Sequence, residues 1–153
     1  MIQRIQSLYL FVAGLFYFLY WFFGLEWYER GYPIIIEFFS YIKWIDFILV
    51  IFSFIPLIIS LLCLLSILLF KSRRAQIKLS LINLRLSMIM CLFTAFYFYH
   101  SLTVLIELMP SVFLEFLMYV AILNPFLCTY LIFNAIKSIR KDDDLVRSVD
   151  RIR

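Results

Sequence analysis

The stretch that decides the fold is FILVIFSFIPLIISLLCLLSILLF, from Phe47 to Phe70, which contains no charged residue. At ~1.5 Å of rise per residue, an α-helix of this length crosses a hydrocarbon core of about 30 Å. Strands that cross a membrane alternate apolar and polar side chains, whereas this stretch is apolar on nearly every side. It therefore predicts a transmembrane helix rather than a strand of a barrel.

Three further windows without Asp, Glu, Lys or Arg flank this stretch, at 5–25, 86–106 and 116–136. Hydrophobic residues make up 65% of the chain, charged residues make up 16%, and the mean hydropathy is +1.00, which excludes a water-soluble globule. The sequence predicts an all-α polytopic membrane protein with four transmembrane helices in an antiparallel bundle. We place the spans of this single membrane domain at about 5–25, 47–70, 79–100 and 114–137.

The first window follows Arg4 and resembles a secretory signal in that respect. It is longer than a signal core, and it ends in Trp21-Phe22-Phe23 rather than in the small residues of a cleavage site. We expect it to be retained as the first span.

The positions of Lys and Arg predict the orientation of the spans. All but two of the 14 basic residues precede the first uncharged window, lie between the second and the third, or follow the fourth; the exceptions are Arg30 and Lys43. This asymmetry predicts a multi-pass protein of the bacterial inner membrane with both termini in the cytoplasm. It also explains the sequence pI of about 9.0, so no nucleic-acid partner is expected.

Two segments outside the spans are predicted to be helical. Residues 33–44 interleave aromatic and charged side chains behind Pro33, which favours a short interfacial helix on the outer side. The alternative is an N-terminal extension of span two. In the cytoplasmic tail, 138–153, the triplet Asp142-Asp143-Asp144 is predicted to end the fourth helix and start a short amphipathic one. The alternative there is a frayed, solubilising tail.

Small and polar residues recur at helical spacing within the spans, and we expect these faces to meet, because helices in lipid associate through close packing and a few polar contacts. Span two carries the clearest series, which is Ser53, Pro56, Ser60, Cys63 and Ser66. The candidate interhelical polar contacts are Asn83, Asn124 and Thr129. The three cysteines lie on the same faces without C-x-x-C spacing, so we interpret them as reduced packing residues.

Basic residues at the start of the third helix are candidates for contacts with anionic lipid or a partner. They are Arg73, Arg74, Lys78 and Arg85. Arg85 lies about 200° around the helix from Asn83, at roughly 100° per residue, which favours a lipid-facing position. The alternative for Arg85 is a salt bridge inside a complex or along a substrate path.

The sequence contains no glycine-rich phosphate loop, HExxH helix, GxSxG elbow or pair of carboxylates in the spans. The single histidine, His100, has no acid beside it and is interpreted as an interfacial polar residue. We therefore expect no enzyme, no cofactor and no catalytic, cofactor-binding or metal-binding residue.

Three parts of the chain carry a family resemblance: the opening MIQRIQSLYL at 1–10, the turn KSRRAQIK at 71–78, and the closing DLVRSVDRIR at 144–153. Together with Asn83 and the NAI at 134–136, they resemble the domain-of-unknown-function family forty-two ninety-three, small four-span inner-membrane proteins of Bacteroidota. The resemblance implies the same location and topology, and it supplies no site residues.

Because these patterns all fall on the cytoplasmic side, the resemblance implies that a shared role lies there. The candidate network comprises Gln3, Arg4, Gln6, Gln76, Asp150 and Arg151, beside Arg73 and Arg74. Gln and Asp can satisfy neighbouring Arg groups through charge-assisted hydrogen bonds. We expect the tail to fold back onto the turn and the N-terminus, bringing Ser148 near Gln6.

Two functions compete on these observations. The first is a non-enzymatic scaffold or accessory subunit of a membrane complex, in contact with lipid and with another membrane protein or further copies of itself. The second is a small transporter, channel or lipid-handling protein. The second predicts a polar cavity between the spans around Asn83, Asn124 and Thr129.

Overall fold

The computed structural model describes residues 2–39, 41, 43–107 and 111–150, with the side chains of 5–24, 31–39, 41, 43–70, 72–107 and 111–146. Four long helices make up almost all of this part of the chain. They are α1 (Ile2–Phe38), α2 (Ile45–Leu68), α3 (Arg73–Glu107) and α4 (Val112–Asp150). A single 3₁₀ turn, Leu69–Lys71, joins α2 to α3.

All four helices are long and apolar enough to cross a membrane, over Ile5–Gly24, Ile45–Leu68, Arg73–Glu107 and Val112–Val146. The all-α prediction is therefore confirmed, and the chain is a multi-pass membrane protein. Three helices are longer than a single crossing of the bilayer needs. The helices α1, α3 and α4 have 37, 35 and 39 residues, or roughly 52 to 58 Å at ~1.5 Å per residue. A bilayer core of about 30 Å leaves long helical extensions outside the lipid.

The helices form an antiparallel bundle in chain order, in which α1 packs against α2 and α4, α3 packs against α4 and α2, and α1 also meets α3 across the centre. The small-residue face predicted on α2 is confirmed, since Ser53, Pro56, Ser60, Cys63 and Ser66 are all buried. Large apolar side chains such as Phe22, Leu68 and Leu92 lie on the outside. This distribution suits a bundle surrounded by lipid.

The helices α1 and α2 approach each other closely at Gly14. A Cβ on this glycine would lie 3.0 Å from the Cβ of Cys63 and 3.5 Å from the Ser60 carbonyl oxygen. Glycine at this position lets the two backbones pack more tightly than any other residue would allow.

The predicted interfacial helix over residues 33–44 is wrong, and so is the alternative extension of span two. The helix α1 continues through Pro33 to Phe38, and α2 begins only at Ile45. The physical reason is that the buried face of α1 does not end at the membrane boundary: Gly24, Gly31 and Ile35 remain buried at helical spacing. That packing outweighs the one backbone hydrogen bond that Pro33 removes.

The C-terminal part of α1 packs against α3. A Cβ on Gly31 would lie 2.8 Å from Cζ of Tyr97 and closer still to its hydroxyl. Further along, the rings of Phe38 and Phe39 lie 4.7 and 5.9 Å from the ring of His100. His100 is thus part of an aromatic contact that holds the end of α1 against α3.

The predicted interruption at Asp142-Asp143-Asp144 is also wrong, because α4 continues through the triplet to Asp150. Neither a separate tail helix nor a frayed tail begins there. Aspartate lowers helix propensity by well under 1 kcal/mol per residue, which is small beside tertiary packing. In α4 the buried positions Ala135, Ile139 and Asp142 continue the spacing of the span.

We expect Gly31→Ala to destabilise the bundle by about 1–3 kcal/mol, because its methyl group would overlap the Tyr97 side chain. The measurement is thermal unfolding of the purified protein in mild detergent. In a Tyr97→Phe background, which lacks the hydroxyl, the same change should cost less. Leu8→Ala on the exposed face of α1 serves as the control. Equal or higher stability of Gly31→Ala would contradict the tight α1–α3 contact.

Candidate functional site

A row of buried polar side chains runs along α3. Its members are separated by three, four or seven residues, so they share one helical face. They are Gln76, Ser80, Asn83, Ser87, Thr94 and Ser101. In lipid such groups need partners within the protein, so this face lies toward the other helices.

The middle of the row joins three helices. The hydroxyl of Tyr17 on α1 lies 2.6 Å from Oγ of Ser87, which lies 2.5 Å from Oγ1 of Thr129 on α4. Thr129 donates its own proton to the carbonyl of Pro125 at 2.7 Å. Since each hydroxyl carries one proton, Ser87 donates to Thr129 and Tyr17 donates to Ser87. These polar groups are used to connect the helices.

The structure separates the three candidate interhelical residues. Asn83 is fully buried and donates from Nδ2 to Sγ of Cys63 on α2 at 2.9 Å. Asn124 donates to the carbonyl of Phe16 on α1 at 3.1 Å. Thr129 lies in the chain of hydroxyls with Ser87. Each residue contacts a different neighbouring helix, and the two cavities described below are lined by other residues.

A second group of buried polar residues, Gln6, Gln76 and Asp142, lies where α1 begins, α2 turns into α3, and α4 extends past its span. We call this the terminal end of the bundle. Asp142 is only 8% exposed there. It occupies the position after Ala135 and Ile139 on the buried face of α4. A carboxylate in such a place is costly unless hydrogen bonds compensate it.

Two residues from other parts of the chain meet Asp142. The buried amide of Gln6 on α1 donates a hydrogen bond to its carboxylate, and the same nitrogen lies 3.3 Å from the carbonyl of Ser138. Arg73, the first residue of α3, donates from its guanidinium to the backbone carbonyl of Asp142 at 2.7 Å. Asp142 therefore links the N-terminal helix, the turn and α4.

A cavity of about 350 Å³ opens among these groups. Its lining consists of Gln6, Ser7, Phe70, Arg73, Gln76, Ile139 and Asp142. Three of the polar groups, Gln6, Gln76 and Asp142, are more than nine-tenths buried. The cavity thus presents one positive group, one negative group, two amides and the Ser7 hydroxyl, with Phe70 and Ile139 as apolar walls. This combination can bind a small polar group.

The other predicted residues fall in three places. Arg74, Lys78 and Arg85 are exposed on the outside of α3, whereas Arg73 turns inward. Gln6 and Gln76 reach the cavity as members of the predicted network. The side chains of Gln3, Arg4, Asp150 and Ser148, and all of Arg151, lie outside the described residues. Within the described residues the tail continues α4 as one helix to Asp150 rather than folding back, and Asp142 in its first turns meets Gln6 of the N-terminal helix and Arg73 at the turn.

Asp142 is the residue that sequence reasoning missed. The acidic triplet was interpreted as the start of a new helix, although a signal was available: Cys128, Ile132, Ala135, Ile139 and Asp142 follow each other at intervals of four, three, four and three. That spacing places Asp142 on the buried face and leaves Asp144 exposed.

We expect Gln6→Leu to lower the stability of the protein by about 1–3 kcal/mol, because it leaves a buried carboxylate oxygen without its donor. Adding Asp142→Leu should recover part of this loss, since both polar partners are then gone. The measurement is thermal unfolding in mild detergent, with Asp144→Asn as the exposed control. A double variant less stable than Gln6→Leu alone would argue against this hydrogen bond.

Comparison with known proteins gives one match. A family model described as Domain of unknown function (DUF4293) covers residues 2–152. No curated protein and no solved structure matches the chain. The family resemblance inferred from the two ends and the basic turn is confirmed by this match over nearly the whole length. The chain belongs to the DUF4293 family.

Proposed function

We propose that the protein is a non-enzymatic scaffold or accessory subunit of a complex in the bacterial inner membrane, with both termini in the cytoplasm. The location and orientation rest on the distribution of basic residues, all but two of which lie on the side of the terminal end. The proposed partners are membrane lipids and a second membrane protein or further copies of the chain.

The observation that carries this proposal is the hydrogen bonding of the bundle interior. Tyr17, Ser87 and Thr129 connect α1, α3 and α4, and Asn83 connects α3 to α2. A transport path needs polar groups that can exchange partners with a substrate. Here the hydroxyls of Tyr17, Ser87 and Thr129 bond to each other across three helices, which favours a structural role.

The extension of α4 provides a surface for a partner. Leu145 and Val146 are 50% and 43% exposed, although they lie beyond the last uncharged window of the sequence. Beside Leu145 is a groove of about 730 Å³, lined also by Phe133, Ile136, Lys137, Arg140, Lys141 and Asp144. Exposed apolar residues flanked by basic ones are suited to binding an apolar, acidic segment of another protein.

The proposal predicts a stoichiometric partner. We expect the tagged chain, isolated from native membranes in mild detergent, to bring down one membrane protein at constant ratio. Leu145→Glu should reduce its recovery several-fold, because it places a charge in the apolar contact. Leu8→Glu, on the exposed face of α1, is the control for general effects on insertion.

Recovery of the chain alone from native membranes, combined with solute flux or lipid transfer by the purified protein in vesicles, would contradict the scaffold role. That outcome would favour the second candidate function, lipid handling. The observation that supports this second candidate is the cavity at the terminal end, with its buried Gln6, Gln76 and Asp142.

A further inference from the structure

The geometry points to the cavity at the terminal end as a binding site for a phosphoethanolamine group, the headgroup of a zwitterionic phospholipid. This site does not depend on the scaffold role, because a bound headgroup is compatible with either candidate function. It follows from the charges, the burial and the position of the residues that line the cavity.

The charges of the lining determine the class of ligand. Arg73 contributes one positive group and Asp142 one negative group, so the cavity complements a ligand that carries both charges and no net charge. The Arg73 guanidinium has five N–H donors and directs one of them to the Asp142 carbonyl. Its remaining donors suit a phosphate, which the start of α3 favours further through the helix dipole.

The opposite side of the cavity suits a primary ammonium. The Asp142 carboxylate accepts a hydrogen bond from Gln6 and retains further acceptor positions. Gln76 is 3% exposed and lines the same cavity. Its carbonyl oxygen can accept from the ammonium, while a quaternary ammonium has no proton to donate.

Size and position agree with a headgroup. At ~30 Å³ per water molecule, a cavity of about 350 Å³ has the volume of roughly twelve waters, enough for a headgroup but not for a whole lipid. It lies where the apolar windows end, next to residue Ile5 of span one and Leu68 of span two. Phe70, which forms one wall, is 56% exposed and can contact the attached acyl chains.

The test is native mass spectrometry of the purified full chain from mixed micelles that contain equal amounts of phosphatidylethanolamine, phosphatidylcholine and phosphatidylglycerol. We expect one phosphatidylethanolamine per chain, retained about tenfold over either competitor, since one charge-assisted hydrogen bond accounts for such a factor. Equal retention of the three lipids by the wild-type protein would overturn the proposal.

Two variants separate the contributions of the charges. Asp142→Asn keeps an acceptor for Gln6 but removes the negative charge, so preference should move from phosphatidylethanolamine to anionic phosphatidylglycerol. Arg73→Gln should weaken binding of all three lipids. The matched control is Asp144→Asn, which is exposed outside the cavity and should leave the preference unchanged. An unchanged preference in folded Asp142→Asn would also overturn the proposal.

A second arm distinguishes a lipid from a soluble source of the same group. The chain is reconstituted into nanodiscs of phosphatidylcholine alone, and its thermal stability is followed with added glycerophosphoethanolamine. Stabilisation by this compound identifies a soluble ligand, whereas stabilisation only when phosphatidylethanolamine replaces part of the bilayer identifies the lipid. Either result supports binding of a phosphoethanolamine group. An absence of stabilisation in both experiments contradicts it.

Discussion

Helices surrounded by lipid gain little from hiding apolar surface from one another, so something else must select their partners. In this protein the selection rests on the buried row along α3. Ser87 joins Tyr17 to Thr129, and Asn83 reaches Cys63, so that one helical face contacts all three neighbours. The remaining surface is broadly apolar and carries large side chains such as Phe22 and Leu92 outward. The inner face of α3 thus fixes the position of the other helices.

On α1 and α4, buried residues continue at helical spacing beyond the apolar window of each helix. On α1 this spacing brings Gly31 against Tyr97, and on α4 it places Asp142 on a buried face. An aspartate there must be compensated, and the partners are Gln6 from the N-terminal helix and Arg73 from the turn. The terminal end of the bundle is therefore held by polar contacts between three separate parts of the chain, and these contacts enclose the cavity.

Much of the fold was predictable because charges are excluded from lipid, so uncharged windows mark the spans directly. The small-residue face of α2 was predictable for a similar reason, since spacing alone places Ser60 and Cys63 together. The ends of the helices were not predictable in this way. Pro33 and the triplet at Asp142 both carry local signals for a helix start, and in both places tertiary packing prevailed over local preference. The candidate site depends on the continuation of α4 through Asp142, which the sequence did not predict. Only Gln6, Arg73 and Gln76 were therefore anticipated.

The orientation of α3 is open to direct measurement by spin labels placed along it, in protein reconstituted in lipid with the native cysteines replaced by serine. Collisions with dissolved oxygen, which concentrates in the bilayer, report exposure to lipid at each position. Labels at Ser80, Ser87 and Thr94 should show minima, and labels at Ile82, Ile89 and Leu92 should show maxima. Maxima at the polar positions, or a profile with no helical period, would contradict a bundle organised around the buried row of α3.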